Sequence, residues 1–314
     1  MTILVDDPPA QTRSDPAARL RASMAAVKLS ITWLGIRRSL SPEQRAQAAE
    51  RFGAEGDYLS AGKKLLDTRH PAYRAVTQVK HQIQGYWRTA TLPYPDPGVR
   101  LIKRPEITTF NDRLSGLRSE LQEAVETLDA HYSELQTAAR QRLGRLFNLS
   151  DYPASLDGLF DVTWEFPSLE PAESLLQLSP ELYRQECDRV RARFAEAVEL
   201  AEQAFAEELS KLVSHLADRL SGTDDGKPKI FRDSAVENLG EFFDRFRELS
   251  IGSNDELESL VERAQRVLRG VEPQQLRDRT ELRQRIAGQL AGVQSQLEGV
   301  LVDRPRRAIL RRPK

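Results

Sequence analysis

The chain has 314 residues, of which 30% are charged, 39% belong to the hydrophobic set and 7% are aromatic. That is more charged and less apolar than an average globular domain, which argues against a compact sheet-centred enzyme and suits long helices with narrow apolar stripes. The formal net charge of −1 hides a division: residues 17–104 hold 16 Lys and Arg against 6 Asp and Glu, residues 105–302 hold 23 against 37, and residues 303–314 hold 6 against 1.

Taken in order, this divides the chain into four parts. Residues 1–20 are expected to form a disordered tail, residues 21–104 a basic head with strands and short helices, residues 105–302 an acidic long-helix body, and residues 303–314 a basic C-terminal tail. The acidic, Pro-rich opening MTILVDDPPAQTRSDP has no apolar stretch of the kind a secretory signal carries. Cys187 stands alone, so no intrachain disulfide forms and a reducing, cytoplasmic setting is expected. No apolar run reaches the length of a membrane span.

Val27, Leu29, Ile31 and Trp33 alternate with polar residues, the period of a strand. Ser41-Pro42-Glu43-Gln44 reads as a helix start, with Ser41 as cap, Pro42 in the first turn and Gln44 completing a capping box. Residues 53–62 read as a loop, 71–90 as a helix stopped by Pro93, Pro95 and Pro97, and Val99 to Lys103 as a short strand. From Phe110 to Leu146 one apolar stripe recurs with a mean spacing of 3.6, which predicts a single straight helix roughly 55 Å long. Phe160, Val162 and Trp164 mark a strand within 160–168.

Ser179-Pro180-Glu181 opens another long helix, striped by Val190, Phe194, Val198, Phe205, Leu209, Leu212, Leu216 and Leu220 and stopped by Gly222. The two long helices are expected to pack antiparallel. Phe242, Phe243, Phe246 and Leu249 mark a shorter helix. Ser253 and Glu256 look like a capping box before the next, and Leu282 to Leu301 gives a last long stripe. The fold class is therefore mainly α. It is expected to be an elongated bundle of long antiparallel helices, coiled-coil-like, with a small antiparallel sheet at one end from segments near Val27, Val99, Val162 and Ala308.

No catalytic, cofactor-binding or metal-binding set emerges. Gly56 to Lys64 (GDYLSAGKK) resembles a phosphate-binding loop only superficially: it has five residues between the glycines where four are needed, and Lys64 stands in place of the hydroxyl residue. His70, His81, His131 and His215 are read as lacking the i, i+4 spacing or the Cys, Asp or Glu company of a metal site, and Cys187 has no CxxC partner. The carboxylates lie at helical spacing among arginines, as on solvated faces. The basic residues are the candidate contacts for an anion or a partner: Arg37, Arg38, Lys63 and Lys64 in the head, with Arg304, Arg306, Arg307, Arg311 and Arg312 in the tail. Trp33, Tyr58, Tyr73, Tyr86 and Trp87 accompany the head cations. That mixture suits nucleic acid, or a head that docks on the acidic body or on another copy.

VKLSITWLGIRRSLS, GKKLLD, TLPYPDPGVRLIKRP, DVTWEFPSLEP, DGKPKIFRDSAVENLGEFFDRF and VDRPRRAIL together resemble a family from bacteria, phages and mobile elements that is catalogued as a domain of unknown function. The resemblance spans about 27–310. Members are often encoded near MoxR-type AAA+ ATPases and von Willebrand A-like proteins, similar to the arrangement of cobalt-chelatase subunits. It implies a non-enzymatic accessory or scaffold protein with such an ATPase as partner, and it supplies no catalytic residues. The alternative expectation is a nucleic-acid-binding protein of a phage or mobile element. Self-association through the long stripes fits either.

Overall fold

The computed structural model describes residues 15–221 and 232–302. The predicted strand near Ala308, the stop at Gly222 and the five tail arginines lie outside the described residues. In chain order come α1 (Pro16–Ser23), β1 (Met24–Trp33), β2 (Arg37–Ser39), α2 (Pro42–Glu50), β3 (Gly62–Lys64), α3 (Pro71–Thr89), β4 (Leu92–Pro93) and β5 (Val99–Lys103). They are followed by α4 (Ile107–Ala130), α5 (Tyr132–Leu143), β6 (Phe160–Glu165), α6 (Glu173–Leu178), α7 (Pro180–Ser221), α8 (Ser234–Leu249), α9 (Asp255–Leu268), α10 (Pro273–Asp278) and α11 (Thr280–Val302). The protein is mainly helical with a small antiparallel sheet.

The described residues fall into two compact units: one of residues 15–26, 91–104, 168–221 and 232–302, the other of Val27–Ala90 and Pro105–Pro167. The first is built along α7. The predicted stripe is buried except at Leu212, which is half-buried while its neighbour Val213 takes the core position; Phe194, Phe205, Leu209, Leu216 and Leu220 are each under one-tenth exposed. α11 runs against α7 through Ile286, Leu290, Val293 and Leu297, and α1, α6, α8 and the β4 end of the β4–β5 hairpin pack on it as well. Phe205 stacks edge-on against Phe246 at 5.1 Å between ring centroids, the T-shaped arrangement that aromatic quadrupoles favour.

α1 occupies residues read from the sequence as the end of a disordered tail. Asp15 accepts from the Ala17 N–H, Pro16 opens the helix and Leu20 is buried in the core. At α9 the expected capping box is replaced. Asn254 is the cap and accepts from the Leu257 N–H, whereas Ser253 turns its hydroxyl to the Glu202 carboxylate on α7. A tertiary carboxylate has outbid the local pattern.

In the second unit β1 and β6 pair antiparallel, with Leu29 opposite Trp164 and Ile31 opposite Val162. α4 packs on α3 and on β6. The predicted continuous helix from Phe110 to Leu146 is interrupted at His131, whose backbone (φ −94, ψ 1) ends α4 and begins α5. The stripe is blind to the break, because Leu128, Tyr132 and Leu135 on either side of it are all buried. Two side chains beside the break have non-local roles: Asp129 accepts from the Leu156 N–H at 2.9 Å, and the His131 ring lies 5.3 Å from that of His70. Within the second unit α3 is the main partner of α4, and within the first α11 is that of α7.

Leu209 is fully buried in α7, while Leu178 is 83% exposed. Leu209→Ala is expected to lower unfolding free energy by about 2–5 kcal/mol through transfer and cavity terms. Leu178→Ala should stay within about 0.5 kcal/mol. Urea denaturation of both variants measures the contrast.

Candidate functional site

The second unit gathers most of the head cations and gives them counter-charges. Residues 27–90 hold eleven Lys and Arg against five Asp and Glu; residues 105–167 hold five against eleven, so the unit carries no net charge. The cancellation is partly specific. Lys28 pairs with Glu165 across β1 and β6 at 3.0 Å, and Lys63 pairs with Asp151.

β2 and β3 form a separate two-stranded ribbon in which Arg37 faces Lys64 and Arg38 faces Lys63. Backbone bonds from Leu40 to Ala61 and from Leu65 to Ile36 extend it at both ends. Like charges directly opposite in a ladder are destabilising, so the ribbon carries two unfavourable rungs. Lys63 is relieved by an anionic partner within the unit. At 8% exposed, its ammonium donates to the Leu146 carbonyl at 2.7 Å and pairs with Asp151 at 2.6 Å. Arg37, Arg38 and Lys64 remain exposed.

The segment between the strands holds α2 and a short 3₁₀ turn, Gly56–Tyr58. Both bonds of the Ser41–Gln44 capping box form. The two glycines that imitate a phosphate loop have steric roles instead. A Cβ on Gly56 would lie 3.0 Å from the Ala46 Cα, and one on Gly62 would lie 3.0 Å from the Arg38 carbonyl oxygen. Lys63, the lysine that a phosphate loop would turn toward its ligand, is paired with Asp151 instead. On this insert Phe52 is 83% and Tyr58 88% exposed, large apolar surfaces left in water.

Beyond β3 two adjoining clefts share Thr68. One, of about 430 Å³, is lined by Lys64, Asp67, Arg69 and Arg142. Asp67 accepts from the Arg69 N–H at 3.0 Å, from Arg142 at 2.6 Å and from the Arg69 side chain at 3.3 Å. Those bonds, the backbone one foremost, hold its carboxyl well below the usual carboxylate range. The other cleft, of about 590 Å³, contains Trp33, Tyr73, Arg74, Lys80 and His81, with the Lys80 ammonium 4.1 Å from the Trp33 ring centroid. This is a favourable cation–π distance.

One constellation was missed by sequence spacing. His70, His131 and Glu134 bring potential ligand atoms to within 4.8 Å of one another, the only such group of three among the described residues. His131 and Glu134 are three apart, a usable helical spacing that a search for i, i+4 pairs passes over. His70 comes from the N-terminus of α3, and no local pattern announces that approach.

No family model matches the sequence, and neither any curated protein nor any solved structure does. The geometry therefore carries the functional reading.

Two outcomes test this arrangement. Asp67, whose folded value is depressed, contributes stability that is complete above the ordinary carboxylate range and is lost as pH falls through its shifted value. Its carboxyl carbon should titrate by NMR below the protein's solvated aspartates, and Arg142→Ala should move the midpoint up. Lys63→Met strands the Asp151 carboxylate and should cost about 3 kcal/mol in urea unfolding, largely restored in Lys63→Met/Asp151→Leu.

Proposed function

We propose that this chain is a non-enzymatic adaptor whose partner is a protein, and that its working surface is the insert between β2 and β3. The observation that carries the reading is the pairing of exposed Phe52 and Tyr58 with a unit whose cations are largely balanced from within. Exposed aromatics near arginines in sequence, as Phe52 is beside Arg51, have the composition of protein-binding hot spots. A charge-neutral body lacks the long-range field that draws a protein onto a phosphate backbone. The resemblance to proteins encoded beside MoxR-type AAA+ ATPases and von Willebrand A-like proteins supplies the partner class: an ATPase of that type, with this chain as its accessory.

A second reading, nucleic-acid binding, draws on the like-charged rungs of the ribbon. Arg37, Arg38 and Lys64 are exposed on the two strands that flank the insert carrying the two aromatics, and basic and aromatic residues together are the elements of a stacking and phosphate-tracking surface. Arg304, Arg306, Arg307, Arg311 and Arg312 of the basic tail, outside the described residues, are the other candidate phosphate contacts of this reading.

The adaptor reading is tested by measuring binding of the purified chain to the MoxR-type ATPase encoded nearest to it. Binding is expected, weakened at least about tenfold in Phe52→Ser/Tyr58→Ser, since aromatic anchors at an interface are each worth roughly 2 kcal/mol. Absence of binding overturns it. Single-stranded DNA and RNA titrated at low and physiological salt decide the second reading. It predicts binding that falls steeply with salt, and a flatter slope when Arg306, Arg307, Arg311 and Arg312 become Ala.

A further inference from the structure

We propose that His70, His131 and Glu134 form a binding site for a divalent transition-metal ion, zinc being the member that fits best. The donor set is two imidazoles and one carboxylate, borderline nitrogen with hard oxygen, which suits zinc and its neighbours and not calcium or magnesium. Two of the ligands are local. His131 stands at the interruption between α4 and α5, and Glu134 follows one turn later, so both side chains share a face. Their ligand atoms, His131 Nδ1 and Glu134 Oε2, are 3.4 Å apart. A tetrahedron with bonds of about 2.0–2.1 Å has an edge of roughly 3.3 Å, so this edge is already at metal-binding length.

The third ligand comes from across the unit. His70 caps α3, and its ring centroid lies 5.3 Å from that of His131. With all three ligand atoms inside 4.8 Å, the remaining edges close by side-chain rotation. His131 and Glu134 are exposed and free to turn, whereas His70 is half-buried and anchored. Three protein ligands in an exposed setting leave the fourth position to water.

His70 adds a specific consequence. Its Nδ1 accepts from the Ala72 N–H at 3.3 Å, so the neutral ring carries its hydrogen on Nε2. Ligation through Nε2 moves that hydrogen to Nδ1 and releases the cap bond; ligation through Nδ1 takes the same lone pair from Ala72. Either way the metal competes with the first turn of α3, and loading must register at the Ala72 amide. The inference does not depend on the identity of the protein partner.

The full chain, stripped with a chelator, is titrated with Co(II) as a spectroscopic stand-in. The expected result is one equivalent bound, visible d–d bands of four-coordinate strength bleached by one equivalent of Zn(II), and a shifted Ala72 amide resonance on loading. His70→Asn keeps a side-chain cap acceptor, and His131→Gln alters an exposed residue, so both variants should fold, as circular dichroism will check. Each should weaken binding at least about tenfold, no less than loss of an outer-shell partner typically costs. Cys187→Ser and His81→Gln should bind as the unaltered chain does. Absence of the bands, or equal affinity in His70→Asn and His131→Gln, overturns the proposal. Should either variant unfold, Glu134→Gln on the exposed turn replaces it, with the same two outcomes.

Discussion

The buried stripe of α7 is the constraint on which the first unit depends. A 42-residue helix offers far more apolar surface than its own backbone bonds can compensate for leaving in water. Helical stability in proteins comes mainly from packing an amphipathic face. Partners must therefore be found along its whole length, and the chain supplies them in pieces: α11 for a long stretch, with α1, α6, α8 and the β4–β5 hairpin elsewhere. Polar contacts set the pieces in place. Glu202 takes both Ser253 and Asn254 at the start of α9, and Arg19 donates to the Ile251 carbonyl at 2.8 Å. The burial drives association, and the hydrogen bonds fix which residues meet.

The second unit is organised by charge as well as by burial. Its two segments are oppositely charged and of nearly equal magnitude, and they lie together in one compact body. Most of these pairs are exposed, and such pairs contribute little individually. Lys63 with Asp151 is different. Its ammonium, only 8% exposed, exchanges water for a carboxylate and a carbonyl, and the geometry that does so ties the ribbon to the turn after α5. A residue that looks in sequence like one more cation of a binding patch is a structural pin.

The helices were largely legible in the sequence, because their cues are local. Ser41 with Gln44, Pro71, Pro180 and the 3.6-residue stripes act within a turn or two of the chain. What was not legible depends on residues far apart. The break at His131 leaves the apolar period intact, so no periodicity analysis detects it. The cap of α9 passed from Ser253 to Asn254 because Glu202, about fifty residues earlier, claimed the serine. The allocation of cations between exposed contacts and internal pairs could not be read either. Lys63 and Lys64 are neighbours with the same side chain and opposite fates, decided by which face of the ribbon meets Asp151.

Apart from the α9 cap, the departures from local expectation share a location. The like-charged rungs, the exposed Phe52 and Tyr58, the helix break and the two juxtaposed imidazoles all belong to the second unit. Each departs from what stability alone would select: opposed cations repel, exposed aromatics forgo burial, and an interrupted helix forgoes a continuous backbone ladder. Sequences are consistent across levels except where function asks otherwise. Several independent departures within one unit, set against an α7 stripe that is largely buried in the other, are the reason the proposed adaptor surface and the proposed metal site are both placed there.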